Sequence, residues 1–325
     1  MNALLILPIS FLMDIFLNKF KIDIFAYIKI LFDKIRNVLS EKVYKENKIL
    51  EFLFGSIISI LIVAIIFLIS FYLLKLFYGI HFLFGLIIEL ILFYNILEIR
   101  KPLEFGSSVY GILQYNNFDK ARDILRENLK IDTEDMEEET IIKRTIEYST
   151  ITSAENSIYL MILFIIGGIP ICFLYKTISS LSKNEVAIDE NTDKRLFEII
   201  AVKICFLINV ILSLCAFLLY TISALFLKCR FKNSFAILKK DGKDSKAILE
   251  CAIAGSLDIE LGGDYFKDGE LYERENVGDY MEELNYRLIE KVNKILLMGN
   301  ISSLCVSIII KLVLMLLSSI FLVGV

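Results

Sequence analysis

The sequence predicts an all-α integral membrane protein, with about six transmembrane helices and amphipathic helices on its cytoplasmic side. Hydrophobic residues make up 56% of the chain, above the roughly 45–50% of soluble domains. The mean hydropathy is +0.65. Several uncharged runs are long enough to cross a hydrocarbon core of about 30 Å at about 1.5 Å per helical residue. The 325 residues therefore divide between lipid-embedded helices and polar segments of one membrane domain.

The N-terminal run 1–17 lacks a basic start, carries Asp14 and has no small-residue cleavage pattern before Asn18. It is read as a retained helix rather than a signal peptide. In 18–51, Phe25, Ile28, Phe32, Ile35 and Leu39 recur at helical spacing. This marks an amphipathic helix on the membrane surface or on the bundle. The clearest span is 52–74, 23 uncharged residues between Glu51 and Lys75. The run 76–97 is a further span despite Glu89, followed by 156–175, 204–227 and 296–325, the last interrupted by Lys311. The polar segments 18–51, 98–155 and 228–294 carry 8, 8 and 12 basic residues. The loop 75–81 has Lys75 alone, and 176–195 has Lys176, Lys183, Lys194 and Arg195. The positive-inside bias places all three long segments in the cytoplasm, and six crossings put both termini outside. A multi-pass protein of the plasma membrane is expected, with membrane lipid as its surroundings.

Two further stripes read as docking faces. They are Phe118, Ala121, Leu125 and Leu129, and Met281, Leu284, Leu288, Val292 and Ile295. The acidic run 132–139 between them reads as a solvated helix start, with Asp132-Thr133 a candidate N-cap. Its carboxylates would also suit magnesium or calcium, although the glycine of an EF-hand loop is missing.

The net charge of −4 gives no electrostatic support for nucleic-acid binding. Four of the six cysteines, Cys172, Cys205, Cys215 and Cys305, sit in apolar runs and none forms a CxxC pair. They read as buried free thiols. The single histidine, His81, excludes a His-rich metal site. Gly167-Gly168-Ile169-Pro170 and Leu261-Gly262-Gly263 have neither Walker A nor dinucleotide spacing. Asp14, His81, Glu89, Lys203, Asn209 and Lys311 lie at membrane depth, where polar groups are functional candidates; their bland alternatives are snorkelling or helix-to-helix bonding.

The order of motifs resembles the CbiB/CobD family of cobalamin-biosynthesis membrane proteins, the adenosylcobinamide-phosphate synthases, over roughly residues 110 to 270. Ala121-Arg122 with Leu125 is similar to the family's A-R-x-x-L, and Asp132-Thr133 to the end of V-G-R-D-T. Glu147 falls on V-E, Gly167-Gly168 on G-G, Tyr175-Lys176 on Y-K/R, and Lys203 and Asn209 on A-R-x-D-D-x-x-N. Ala252-Ile253-Ala254-Gly255 and Leu261-Gly262-Gly263 with Tyr265 match A-M-A-G-x-L-x-x-x-L-G-G-x-x-Y, the most specific element. The departures fall on polar positions. Asn18, Lys19 and Phe20 stand at G-D-P, Phe25 at the histidine, Ile131 at the arginine of G-R-D-T, and Cys205 and Phe206 at the paired aspartates. In the gapless frame A-E-N falls on Thr150, Ile151 and Thr152, while a literal Ala154-Glu155-Asn156 lies four residues later.

The resemblance implies an ATP-dependent ligase that joins aminopropanol phosphate to adenosylcobyric acid by an amide bond, with ATP and magnesium as cofactors. It also implies a corrinoid substrate and other corrinoid-pathway proteins as partners. The implied catalytic residues are Arg122, Asp132, Glu147, Lys176 and Asn209, with Arg122 and Lys176 on anionic groups and Asp132 and Glu147 on a metal. The implied substrate-binding residues are Gly255, Gly262, Gly263 and Tyr265. Loss of family acids leaves open a non-enzymatic regulator or accessory protein on the same scaffold, as in AmpE-like proteins, and thirdly a small-molecule transporter.

Overall fold

The computed structural model describes residues 3–17, 21, 24–39, 48–182 and 199–323. Lys183, Lys194 and Arg195, and the positions 18–20 aligned with G-D-P, lie outside them. Twelve α-helices and four short strands are present among the described residues. Five helices are long and apolar enough to span a membrane: Ile49–Ile80, Phe82–Leu113, Glu138–Ser182, Ile199–Phe226 and Arg287–Ser318. The sixth expected span, α1 (Ala3–Leu17), has 15 residues and reaches about 22 Å, short of a core of about 30 Å.

The chain divides into two compact units. The first comprises Met1–Ile96, Ile162–Asn209 and Lys311–Val325. Here α2 (Ile24–Leu39) buries Phe32 with Leu181 and Ala201, against Phe54, Ile58, Ile62 and Val63. Phe25 meets Phe173 edge-on at 5.3 Å. The predicted stripe thus docks on protein. Helix α3 (Lys48–Ile80) continues through Lys75, and the chain turns at His81 before α4 (Phe82–Ile96). A single lysine does not stop a helix when its stem can run along apolar surface. Asp14, fully buried on α1, is neutralised by Lys21, whose ammonium also lies 5.0 Å over the Tyr94 ring.

Helix α8 (Tyr159–Ser182) is broken at Gly167 and Gly168. Gly168 has φ 67° and ψ −157°, a region essentially open only to glycine, and Pro170 opens the next turn as proline does at a helix start. Glu89 on α4 lies beside the break, 3.6 Å from where a Cβ on Gly168 would stand, and accepts a hydrogen bond from the Tyr78 hydroxyl.

The second unit comprises Leu97–Met161 and Val210–Ile310. Its core is α11 (Ser245–Leu257), buried from Ala247 to Ser256, packed on α7 (Glu138–Ser153) and α10 (Phe231–Asp241). Asp244 caps α11 by accepting from the Lys246 and Ala247 amides. At Gly255 an added Cβ would fall 2.4 Å from both Cα and N of Ser234, so the small side chains of α11 set the helix spacing. Two hairpins follow: β1 (Leu261–Gly262) with β4 (Asn276–Val277), and β2 (Tyr265–Lys267) with β3 (Glu270–Tyr272), both antiparallel. These strands are not legible in the helical reading.

Of the other stripes, Ala121 and Leu125 are buried on α6 (Phe118–Leu129), and Leu288, Val292 and Ile295 on α12 (Arg287–Val323). Met281 precedes α12 and is 67% exposed, so the third stripe starts at Leu288. All six cysteines are free thiols, but Cys215 and Cys305 are exposed rather than buried. Helix α7 is not capped by Asp132; its N-cap is Glu137, with Glu138 and Glu139 in the first turn, where acids favour the helix dipole.

Candidate functional site

Within the second unit the two hairpins and α7 and α11 hold a buried cluster of charge. Helical spacing puts Arg144 and Glu147 on one face of α7, where they pair at 2.7 Å with side chains 5% and 6% exposed. The second oxygen of Glu147 accepts the Gly262 amide at 2.5 Å. Arg144 also donates to the Gly263 and Asp264 carbonyls, and its guanidinium lies 5.3 Å from the Tyr265 ring centre. Arg274, just past β3, donates to Glu250 of α11 at 2.6 Å and stands 3.8 Å from Glu147. Two guanidiniums thus balance two carboxylates where an unpaired charge would be costly.

Burial pushes the Glu250 carboxyl up to about 7, with Arg274 pulling the other way and Glu147 adding to the rise. The Arg144 Nε and one Glu250 oxygen have no partner among the described residues. Unpartnered buried polar atoms beside a perturbed carboxyl recur at functional sites, which makes this cluster the candidate. Arg274 is the member that reaches solvent. It lines an open cavity of about 410 Å³ with Asp264, Glu273 and Glu275, and its own amide donates to Asp264.

Several sequence-predicted residues converge here. Glu147, Gly262, Gly263 and Tyr265 belong to the cluster or its hairpins, and Tyr265 stacks on Tyr272 at 5.4 Å. Gly262 has φ 78°, and a Cβ there would lie 2.3 Å from the Glu275 carbonyl oxygen. The L-G-G element therefore lets the backbone of β1 and β4 close over Glu147. Asp132 accepts the Gly269 amide at 2.8 Å and so ties down the turn of the β2–β3 hairpin. Arg122 donates twice to the Met136 carbonyl and once to Asp119, which fixes the loop carrying Asp132. Gly255 serves α10–α11 packing. Lys176 and Asn209 belong to the first unit, where Asn209 accepts from the Tyr175 hydroxyl at 3.0 Å.

The expected metal ligands do not form a set. Asp132 and Glu147 already accept N–H donors, and no group of three or more His, Cys, Asp or Glu residues able to hold an ion occurs among the described residues.

Sequence reasoning missed Arg144, Glu250, Asp264 and Arg274. Glu250 had a signal, as the single acid inside the apolar stretch Ala247–Ser256. The literal Ala154-Glu155-Asn156 starts a π turn, Ala154–Ile158, a local widening common at functional sites. Asn156 donates to Glu98; Ser157 and Ser153 both bond the buried Asn300.

These features define a helical membrane protein whose second unit carries a buried ion cluster opening on a polar cavity. The profile of the CobD/Cbib protein family matches residues 9–296, and the chain belongs to that family. It is 27% identical over 265 residues to the "Cobalamin biosynthesis protein CobD" of Leptospira interrogans serovar copenhageni, covering 80% of this chain and 84% of that one. Proteins of the same name from Clostridium perfringens, 29% identical over 71% of this chain and 74% of theirs, and Clostridium tetani, 28% over 79% and 81%, are similar too. No solved structure matches.

Proposed function

We propose that this chain is an amide-forming ligase of cobalamin biosynthesis, joining the amine of aminopropanol phosphate to a carboxyl group of adenosylcobyric acid. The observation that supports this reading best is Arg274 at the cavity edge, held by two buried carboxylates beside Asp264, Glu273 and Glu275. An amino-alkyl phosphate carries both signs of charge and fits such a lining. Arg274 meets the phosphate, for which a guanidinium supplies paired donors. The cavity carboxylates meet the ammonium group.

Glu147 and Glu250 act through Arg274 as positioning residues, and Arg144 locks Glu147 to the glycine turn. In the reaction the bound ammonium first gives one proton to a cavity carboxylate; the free amine nitrogen then bonds to the carboxyl carbon, the carboxyl oxygen departs with the group that activated it, and the nitrogen gives up its second proton to solvent. ATP would supply the activation, and magnesium would arrive on its phosphates, as it does where a chain offers few ligands of its own.

The test is complementation of a strain lacking the corrinoid amide synthase, with corrinoid products read by mass spectrometry. The wild-type chain is expected to restore the amide product. Arg274→Gln should lower it by about 10²-fold, the scale for losing a transition-state or positioning charge, and Arg274→Lys should recover part of it. No rescue by wild-type chain confirmed in the membrane would overturn the ligase reading in favour of an accessory role. Equal rescue by Arg274→Gln would remove Arg274 from the site.

A further inference from the structure

A second cavity of the same unit shares no residue with the Arg274 cluster. It measures about 380 Å³ and is lined by Leu227, Lys228, Cys229, Arg230, Ser256, Leu257, Asp258, Glu282, Leu288, Lys291 and Lys294. That volume lies within the range of small-ligand sites. Its place along the helices is informative: α9 (Ile199–Phe226) ends its apolar run at Leu227, and the apolar part of α12 begins at Ile295. The cavity therefore sits where two spanning helices leave hydrocarbon, and both leucines and cations line it.

Its charges are not all spoken for. Asp258 is taken by Arg230 at 3.0 Å and by Asn233, and Lys294 pairs with Glu290 on its own helix. Lys228 and Lys291 have no ion pair among the described residues, and Glu282 is the remaining lining acid. The plain alternative is that these lysines balance the negative end of α9. That end is already closed by backbone bonds: the amides of Leu227, Lys228 and Cys229 donate to Ser223, Leu225 and Ala224. Lys228 itself adopts φ 62°, the left-handed conformation with which helices commonly end, and lines the cavity from there. Basic pockets between membrane helices at the interface take the headgroups of anionic lipids.

We propose that this cavity binds the phosphate headgroup of an anionic glycerophospholipid, with Lys228 and Lys291 as its principal contacts and Leu227, Leu257 and Leu288 against the upper acyl chain. The site is separate from the proposed ligase cavity and does not depend on that reading.

The test uses the full-length chain, delipidated in detergent and offered phosphatidylglycerol or phosphatidylcholine, with retained lipid counted by native mass spectrometry. The wild-type chain should retain phosphatidylglycerol preferentially. Lys228→Gln/Lys291→Gln should weaken that retention about 25-fold, near fivefold for each lysine, while Lys120→Gln/Lys239→Gln leaves it unchanged. Should the double variant not fold, the two single variants carry the comparison. Phosphatidylglycerol should also protect Cys229 of the unaltered chain from a bulky maleimide. Retention by Lys228→Gln/Lys291→Gln equal to wild type would overturn the proposal. So would displacement of the lipid by millimolar inorganic phosphate or glycerol phosphate, which would make the cavity a site for a soluble anion.

Discussion

Gly255→Ala separates a packing role for the A-x-A-G element from a substrate-binding one. The added methyl carbon would stand 2.4 Å from Cα and N of Ser234 and 2.8 Å from the Asn233 carbonyl carbon. Ordinary carbon contact needs roughly 3.5 Å or more, so α10 must shift by about 1 Å relative to α11. All three atoms are backbone, and no rotamer change relieves the overlap. Overpacking of this kind costs about 1–3 kcal/mol, with more where the backbone cannot give. Replacing glycine by alanine inside a helix returns about 1 kcal/mol. A net loss near 2 kcal/mol is expected, because both helices are fixed by the Ser234 hydroxyl, which donates to the Ala252 carbonyl and shares a hydrogen bond with the Ser256 hydroxyl.

The assay is fluorescence-detected size-exclusion after heating the detergent-solubilised chain, where that loss should lower the apparent melting temperature by several degrees. Gly111→Ala is the control: nothing lies within 4 Å of its Cβ position, and it should be neutral or stabilising. Ser234→Ala should not rescue Gly255→Ala, since the clash is with main chain. A Gly255→Ala protein as heat-resistant as wild type would refute the packing argument, and lost corrinoid product with unchanged melting would return Gly255 to the substrate site.

Glu250 predicts a pH dependence. Its carboxyl moves from an ordinary 4.5 up to about 7 in the folded protein, through burial first. Between those values the native state holds a proton that the unfolded chain releases, so its contribution makes stability fall as pH rises from about 4.5 to 7, by on the order of 3 kcal/mol. Melting of wild type and Glu250→Gln across that window should diverge in slope, and identical slopes would discard the idea. At the α8 break, Gly168→Ala forces a side chain to φ 67°, ψ −157°, costing about 1–3 kcal/mol. A melting temperature equal to wild type would mean that the helix closes over the break.

Much of the architecture could be read from order and spacing alone, because a membrane imposes length and polarity rules that a single segment must satisfy by itself. The apolar runs, the stripes at Phe25–Ile35 and Ala121–Leu125, and the L-G-G element are local statements of that kind. The candidate site was half legible. Glu147, Asp132 and Tyr265 were found through motif order, but Arg144, Glu250 and Arg274 were not, since nothing in the chain shows that residues 144, 147, 250 and 274 meet.

The sequence by itself determined the class: apolar length dictates helices in lipid, and the motif order dictates the family. Only the tertiary structure decided which charged side chains are buried together, which glycines serve packing, and that Lys228 and Lys291 have no ion pair among the described residues. Those outcomes depend on hydrogen-bond satisfaction between segments more than a hundred residues apart, as when the Gly262 amide meets Glu147, and local composition carries no record of such pairings.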